Sequence, residues 1–279
     1  MNGVILINKT KDKTSRDMVN ELNHIFDMKK IGHTGTLDPL ATGVLVMCLG
    51  KYTKLVDELS GLKKEYIAQI KVGIKTDTLD ITGNILEERK CIFTKEDLQE
   101  VLDDLKGKII QKIPKYSAKK INGKKLYEYA RKGQEIELPK NEIEIYEIEL
   151  LNIDEDLITF RSLVSKGTYI RSLIEEICQK LNIIGTMNSL VRTKQGTFSI
   201  ENSYSIEDVK LGNYQILTAK DLLTYPVYQL TSEEYQKVKN GNKIKLDSDD
   251  KKIILEYAGK EVAIYEKEKE LYRSFVMLI

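Results

Sequence analysis

The stretch "NEIEIYEIELLNIDEDLITFRSLVS", Asn141–Ser165, decides the reading of the fold. Apolar and charged residues alternate through "NEIEIYEIELLNI", and a second apolar run, "LITFRSLVS", follows the three acids Asp154, Glu155 and Asp156. A period of two sends successive side chains to opposite faces, so both runs read as strands and the acids as the turn between them. A turn that short forces the strands antiparallel. Downstream, "SKGT" makes a turn and "YIRSLIEEICQKL" lines up Ile170, Leu173, Ile174, Ile177 and Leu181 on one helix face. Upstream, Thr94 opens a helix with Leu98, Val101, Leu102 and Leu105 aligned. "EYIAQIKVGI" (Glu65–Ile74) reads as a strand ended by the turn-rich "KTDTLDITGN". Near the N-terminus, "VILIN" (Val4–Asn8) is a short buried strand, and Thr14 or Ser15 caps a helix bearing Met18, Val19, Leu22, Ile25 and Phe26.

These elements mix without a strict βαβ rhythm. They predict an α+β fold, a mostly antiparallel mixed sheet flanked by helices. The texture changes at Tyr225–Pro226, where short strands separated by charged or glycine turns suggest a small β-barrel-like module. The expected division is 1–224 and 225–279.

The 279 residues, 41% hydrophobic and 31% charged, are enough for one large domain and a small one. No run of eighteen apolar residues marks a membrane span, and "MNGVILINKTKDKTS" lacks the basic leader and cleavage site of a signal peptide. Cys48, Cys91 and Cys178 are widely spaced with no CxxC pair, which points to a reducing cytoplasm and away from structural zinc. The net charge of +1 hides an asymmetry. Lys106–Gly133 carries ten Lys/Arg against one acid, Glu128, and leaves the other 251 residues with 34 basic and 42 acidic groups. Tyr116, Tyr127 and Tyr129 interleave the cations, a mixture suited to RNA, where rings and cations share the contact. Read as a charge run alone, it would be a solvated surface.

Known cofactor motifs fail. "GVLVMCLGKYT" ends in Gly-Lys, but a phosphate loop needs glycine where Leu45 stands and Ser/Thr where Tyr52 stands. No G-x-S-x-G elbow accompanies the two histidines, His24 and His33. Asp77 and Asp80 read as local turn hydrogen bonding rather than a metal site. What remains is "GHTGTLDPLATG", Gly32–Gly43, three glycines around a single acid, Asp38. An isolated Asp-Pro is ordinarily a turn. A carboxylate held anionic by an arginine can also be a covalent nucleophile without metal or cofactor. Arg171 is a candidate partner; otherwise it is a solvent-facing helix residue.

"GHTGTLDPLATGVL", "KEYIAQIKVGIKTDTLDITG", "IPKYSAKKINGKKLYEYARKG" and "SKGTYIRSLIEEI", with "NGVILINK" and "LVRTKQGTF", resemble the motifs of the bacterial tRNA pseudouridine-55 synthase family. The six blocks run in the family's order from Asn2 to Phe198. The resemblance implies the pseudouridine-synthase fold, with an RNA-binding insertion at about 106–133 and a C-terminal PUA-like module. It implies that Asp38 attacks the target nucleoside, that Tyr66 stacks on the base and takes the C5 proton, and that Arg171 pairs with Asp38. Tyr169 and Leu190 would line the pocket, Lys9 would lie near it, and His33 would hold the RNA loop. Lys119, Lys120, Lys124, Lys125, Arg131 and Lys132 would grip phosphates of the tRNA T arm. The implied reaction isomerises uridine 55 by base flipping, with no cofactor and no metal, and Asp38 acts at C6, at C1′ or in glycal formation. A cytoplasmic monomer without an obligate protein partner is expected. Two other readings are a non-enzymatic tRNA-folding chaperone and the catalytic subunit of a guide-RNA particle. The chain departs from the family in reading Asn8-Lys9-Thr10 for the usual Asp-Lys-Pro, which bears on the stiffness of that loop.

Overall fold

The computed structural model describes residues 1–279. The chain opens with β1 (Gly3–Lys9), α1 (Ser15–Ile25), β2 (Ile31–His33) and β3 (Thr42–Leu49), so the Asp38 loop spans the gap between β2 and β3. A 3-10 turn at Gly50–Leu55 leads to α2 (Val56–Ser60) and β4 (Lys64–Val72). The hairpin β5 (Ile74–Thr76) and β6 (Ile85–Glu88) encloses "DTLDITGN", and α3 (Lys95–Asp104) returns the chain to β7 (Gly107–Lys112). Thr14 and Thr94 start their helices for the same reason. Each side chain accepts an amide hydrogen three residues on, while the aspartate there, Asp17 or Asp97, bonds back to the threonine amide.

The two-residue strands β8 (Lys120–Ile121) and β9 (Lys124–Lys125) and helix α4 (Leu126–Arg131) form an excursion. β10 (Lys140–Asp154), β11 (Leu157–Val164), α5 (Ile170–Lys180) and β12 (Gly185–Gln195) complete the frame. The β10–β11 hairpin pairs from Asp154↔Leu157 to Ile145↔Val164, with Glu155 at positive φ in the turn. Main-sheet order is β1-β3-β12-β4-β11-β10-β7, with β2 added beside β3 and β13 (Phe198–Ser199) beside β12. Every pairing in it is antiparallel except β3–β12, through Val191↔Thr42 and Arg192↔Gly43.

The expected insertion starts later than its charge pattern suggested. Gly107–Lys112 is an edge strand hydrogen-bonded to β10, and the chain leaves the sheet only after it, returning at Lys140. Solvent on the open side of an edge strand accommodates Lys108 and Lys112 as readily as a surface loop does, so charge alone did not separate the two.

The largest apolar cluster lies between the sheet and helices α3 and α5, joining Ala68, Ile70 and Phe160 to Leu98, Leu102, Leu173 and Ile177. β1 and β3 are buried on both faces. Ile5, Ile7, Leu45 and Met47 pack against α1, and the alternate residues Val4, Leu6, Val44 and Val46 pack the other way. That is why these strands read as unbroken apolar runs.

After α6 (Ile206–Lys210) and α7 (Ala219–Leu222), the C-terminal stretch forms β14 (Val227–Gln229), α8 (Ser232–Lys239), β15 (Lys252–Tyr257), β16 (Lys260–Glu268) and β17 (Leu271–Met277). The four strands make a separate sheet in sequence order. Its Ile254, Ile264, Val276 and Leu278 share a cluster with Val4, Leu6, Val44 and Val46, so this sheet is docked on the back of β1 and β3. No helix is long and apolar enough to cross a membrane.

Candidate active site

Asp38 sits at the tip of the β2–β3 loop, and both of its neighbours are pinned. Ser15, the first residue of α1, accepts from the Leu37 amide at 2.9 Å and donates to the Leu37 carbonyl at 3.3 Å. The Pro39 carbonyl accepts from the Asp12 amide at 2.9 Å and from Lys9 Nζ at 3.2 Å. Lys9 also donates to the carbonyls of Thr10 and Lys13, at 2.9 and 2.6 Å, and is wholly buried. Burial pushes its ammonium down to about 8, against a smaller upward pull from Asp38. The "NKT" departure therefore leaves no slack loop, because Lys9 closes it through three carbonyls.

Arg171, at the start of α5, turns inward and is only 4% exposed. Its Nε donates to Asp38 Oδ2 at 2.8 Å and its Nη2 to Oδ1 at 3.0 Å, a bidentate pair. Its remaining donors reach the carbonyls of Thr78 at 3.0 Å and Tyr116 at 2.8 Å. The solvent-facing alternative for Arg171 fails. Asp77 and Asp80 serve the loop itself, as their spacing predicted. Asp80 accepts from Thr78 Oγ1 and the Thr82 amide, Asp77 accepts from Asn84, and the turn so fixed offers the Thr78 carbonyl to Arg171.

Tyr66, in the centre of the sheet on β4, is buried in the same apolar cluster as Leu37, Leu40, Ala41 and Leu190, so the residues flanking Asp38 share one core with Tyr66 and Leu190. Tyr169 caps α5, its amide donating to Gln111 Oε1 at 2.8 Å, and burial raises its phenol. His33 ends β2 at the entry to the loop. Burial first, and then the charges of Arg192 and Arg16, hold its imidazole below the usual value, so it stays neutral at pH 7.

The six cations of the excursion stand apart from this pocket. Lys119, Lys120, Lys124, Arg131 and Lys132 are exposed, and Lys125 is half-buried with its Nζ 3.3 Å from the Tyr127 hydroxyl. The Tyr127 ring has Lys125 and Arg131 each 5.3 Å from its centre. The excursion meets the pocket through Tyr116, whose carbonyl takes a hydrogen bond from Arg171. Three residues with a part in the geometry were not read from the sequence: Gln111, Ser15 in its contact with Leu37, and Arg192, which lies wholly buried in β12. For Arg192 the signal was a lone cation inside the apolar run of "LVRT". No three His, Cys, Asp or Glu side chains gather into a metal-binding group.

Residues 23–170 match the TruB family pseudouridylate synthase N-terminal domain. The chain belongs to the TruB family of pseudouridylate synthases. Among TruB relatives, it is 43% identical to the tRNA pseudouridine synthase B of Caldanaerobacter subterraneus subsp. tengcongensis, over 88% of this chain and 87% of that protein. The Lactobacillus acidophilus protein of the same name is 38% identical over 100% of this chain and 99% of its own. Among solved structures, an H/ACA RNP bound to a substrate RNA containing 2′-deoxyuridine aligns at a TM-score of 0.72 with 21% identity, covering 99% of this chain and 85% of that one. A Cbf5-Nop10-Gar1 complex aligns at 0.71 with 24% identity, over 99% and 84%. These two establish the pseudouridine-synthase fold.

Proposed function

We propose that this chain isomerises uridine 55 in the T loop of tRNA to pseudouridine. The observation that carries the reading is the two-point grip of buried Arg171 on Asp38, at 2.8 and 3.0 Å. It orients the carboxylate of the one acid in a glycine-rich loop and pairs its charge, while leaving the Asp38 side chain about a third exposed. The reaction breaks the N1–C1′ bond, turns the base and joins C5 to C1′. The C5 proton is lost and N1 gains one, so no atom is added and no redox partner is needed.

A base inside a helix is out of reach, so the uridine must leave its stack. Tyr66 offers a ring in exchange, and base–aromatic stacking contributes about 1–3 kcal/mol. Asp38 serves as nucleophile at C6 or C1′, or takes the 2′ proton in glycal formation, and Tyr66 takes the C5 proton. Leu190 and Tyr169 wall the pocket, and Lys9 sets the Asp38 loop. His33 holds the RNA loop, and Lys119, Lys120, Lys124, Lys125, Arg131 and Lys132 grip T-arm phosphates. Residues 1–224 form the catalytic part and 225–279 an RNA-binding module of the PUA type. The enzyme works as a cytoplasmic monomer without cofactor.

Relatives named tRNA pseudouridine synthase B at about 40% identity support tRNA as the substrate. The test is to incubate unmodified tRNA transcript with the purified chain and map pseudouridine by base. Conversion at position 55 by the wild type, absent with Asp38→Asn, is the expected result. A transcript left unmodified by the wild type overturns the reading, and conversion by Asp38→Asn removes Asp38 from the chemistry.

A further inference from the structure

Arg192 holds both ends of the loop that presents Asp38. Its Nε donates to the carbonyl of Val44 at 2.7 Å and its Nη2 to that of Gly35 at 3.3 Å. Gly35 lies three residues before Asp38 and Val44 six after it. The Arg192 backbone also pairs with Gly43 in the only parallel pairing of the main sheet. Gly43 has φ +105, and a Cβ there would run into the Arg192 backbone, so strand β12 and the end of the loop are in direct apposition. On its other side β12 pairs with β4, and there Arg192 is the register partner of Tyr66. One residue thus ties the Asp38 loop to the strand position of Tyr66.

The residue type is costly at this place. Arg192 is wholly buried, its two acceptors are neutral carbonyls, and Nη1 has no partner. A cation buried on those terms destabilises the fold relative to an apolar side chain of similar size. Its charge is felt nearby. Burial first and Arg192 next hold Lys64 down to about 8, although Lys64 donates to the carbonyls of Ser60 and Leu62. A planar fork can reach two carbonyls on different segments at once, which lysine cannot do with the same rigidity.

We propose that Arg192 is a positioning residue for the isomerisation, a buried clamp on Gly35 and Val44 that sets Asp38 relative to Tyr66. The inference rests on the reading of the chain as a uridine isomerase. A displacement of about 1 Å in a reacting group costs on the order of 100-fold in rate, so loss of the clamp is read in the rate constant rather than in RNA affinity.

The experiment compares wild type, Arg192→Met and Arg192→Lys in single-turnover conversion of tRNA, with enzyme and tRNA equimolar and well above Kd. In this format the amplitude reports the folded, competent fraction and the rate constant reports the chemistry. Arg192→Met is expected to lower the rate constant ~100-fold and Arg192→Lys ~10-fold, with tRNA Kd within threefold of wild type. A purely structural residue would lower the amplitude and leave the rate constant alone, and that result overturns the proposal. Should Arg192→Met not fold, Arg192→Lys decides by the same two readings. An inactive wild type would take down the isomerase reading and the clamp together. An active wild type with unchanged rate constants in the variants would take down the clamp alone.

Discussion

Arg171 grips both carboxylate oxygens of Asp38 while giving its other donors to two backbone carbonyls, those of Thr78 and Tyr116. The arginine is therefore fixed from three directions, and the aspartate is fixed by the arginine. Arg171→Lys keeps the charge and loses the fork, leaving the carboxylate free to turn. The expected outcome is a single-turnover rate ~100-fold below wild type with tRNA affinity changed less than twofold. A rate within threefold of wild type would mean that a point charge suffices.

Exposed cations on the excursion make a separate prediction. Lys119, Lys120 and Lys124 project into solvent, and Lys125 borders the Tyr127 ring. Replacing the four with alanine should weaken tRNA binding and flatten the plot of log K against log salt, by roughly 0.7–0.9 for each phosphate no longer neutralised. Binding measured by filter retention from 50 to 300 mM salt tests this. An unchanged slope would make the excursion a solvated surface.

Periodicity made legible the elements that bury one face, and β1 and β3, buried on both, were legible as apolar runs instead. The β10–β11 hairpin, the α5 face of Leu173 and Ile177, and the threonine caps of α1 and α3 all follow from local pattern. The Asp38–Arg171 pair was legible as a pair of motifs, not as a contact, since 133 residues separate the two. Gln111, and Ser15 in its role beside Leu37, stayed hidden for a related reason. Their work is done through backbone atoms of distant residues, Tyr169 and Leu37, and a carbonyl or amide leaves no mark on the sequence. The basic stretch misled at one end, because an edge strand and a surface loop tolerate lysine equally.

Lys9 gives a pH prediction with a definite sign. Its buried ammonium titrates near 8 when folded, against 10.5 as the reference for the unfolded chain. Between those values the unfolded state binds more protons, so this group adds stability as pH rises. Lys9→Met removes the effect while other titrating groups cancel in the comparison. Going from pH 7 to pH 9.5, wild type should gain on Lys9→Met by on the order of 1–2 kcal/mol in urea unfolding. A difference that stays constant, or one that shrinks from the wild-type side, would place the Lys9 proton elsewhere.

Two carboxylates, Glu261 and Glu58, join the C-terminal sheet to the rest above a shared apolar cluster. Glu261, on β16, accepts from the Tyr52 hydroxyl, from the Ala219 amide at 3.0 Å and from the Lys220 amide at 2.8 Å. Lys252 on β15 pairs with Glu58 of α2 at 2.7 Å, and Tyr225 donates to the same glutamate. Beneath them, Ile254, Ile264, Val276 and Leu278 pack on Val4, Leu6, Val44 and Val46. Removing Glu261 takes the acceptor from the Tyr52 phenol and one of two acceptors from the Ala219 amide, which also donates to the Tyr52 hydroxyl at 3.1 Å, at about 1–3 kcal/mol for a donor left without a partner and without water. Because the cluster spans both sheets, that loss should reach β3 as well as β16. Glu261→Ala is therefore expected to lower a single cooperative unfolding midpoint and to speed amide exchange in Val44, Val46 and Cys48. If exchange in β3 kept its wild-type rate while β16 alone loosened, the two sheets would unfold independently, and residues 225–279 would be an appendage rather than part of the support for the Asp38 loop.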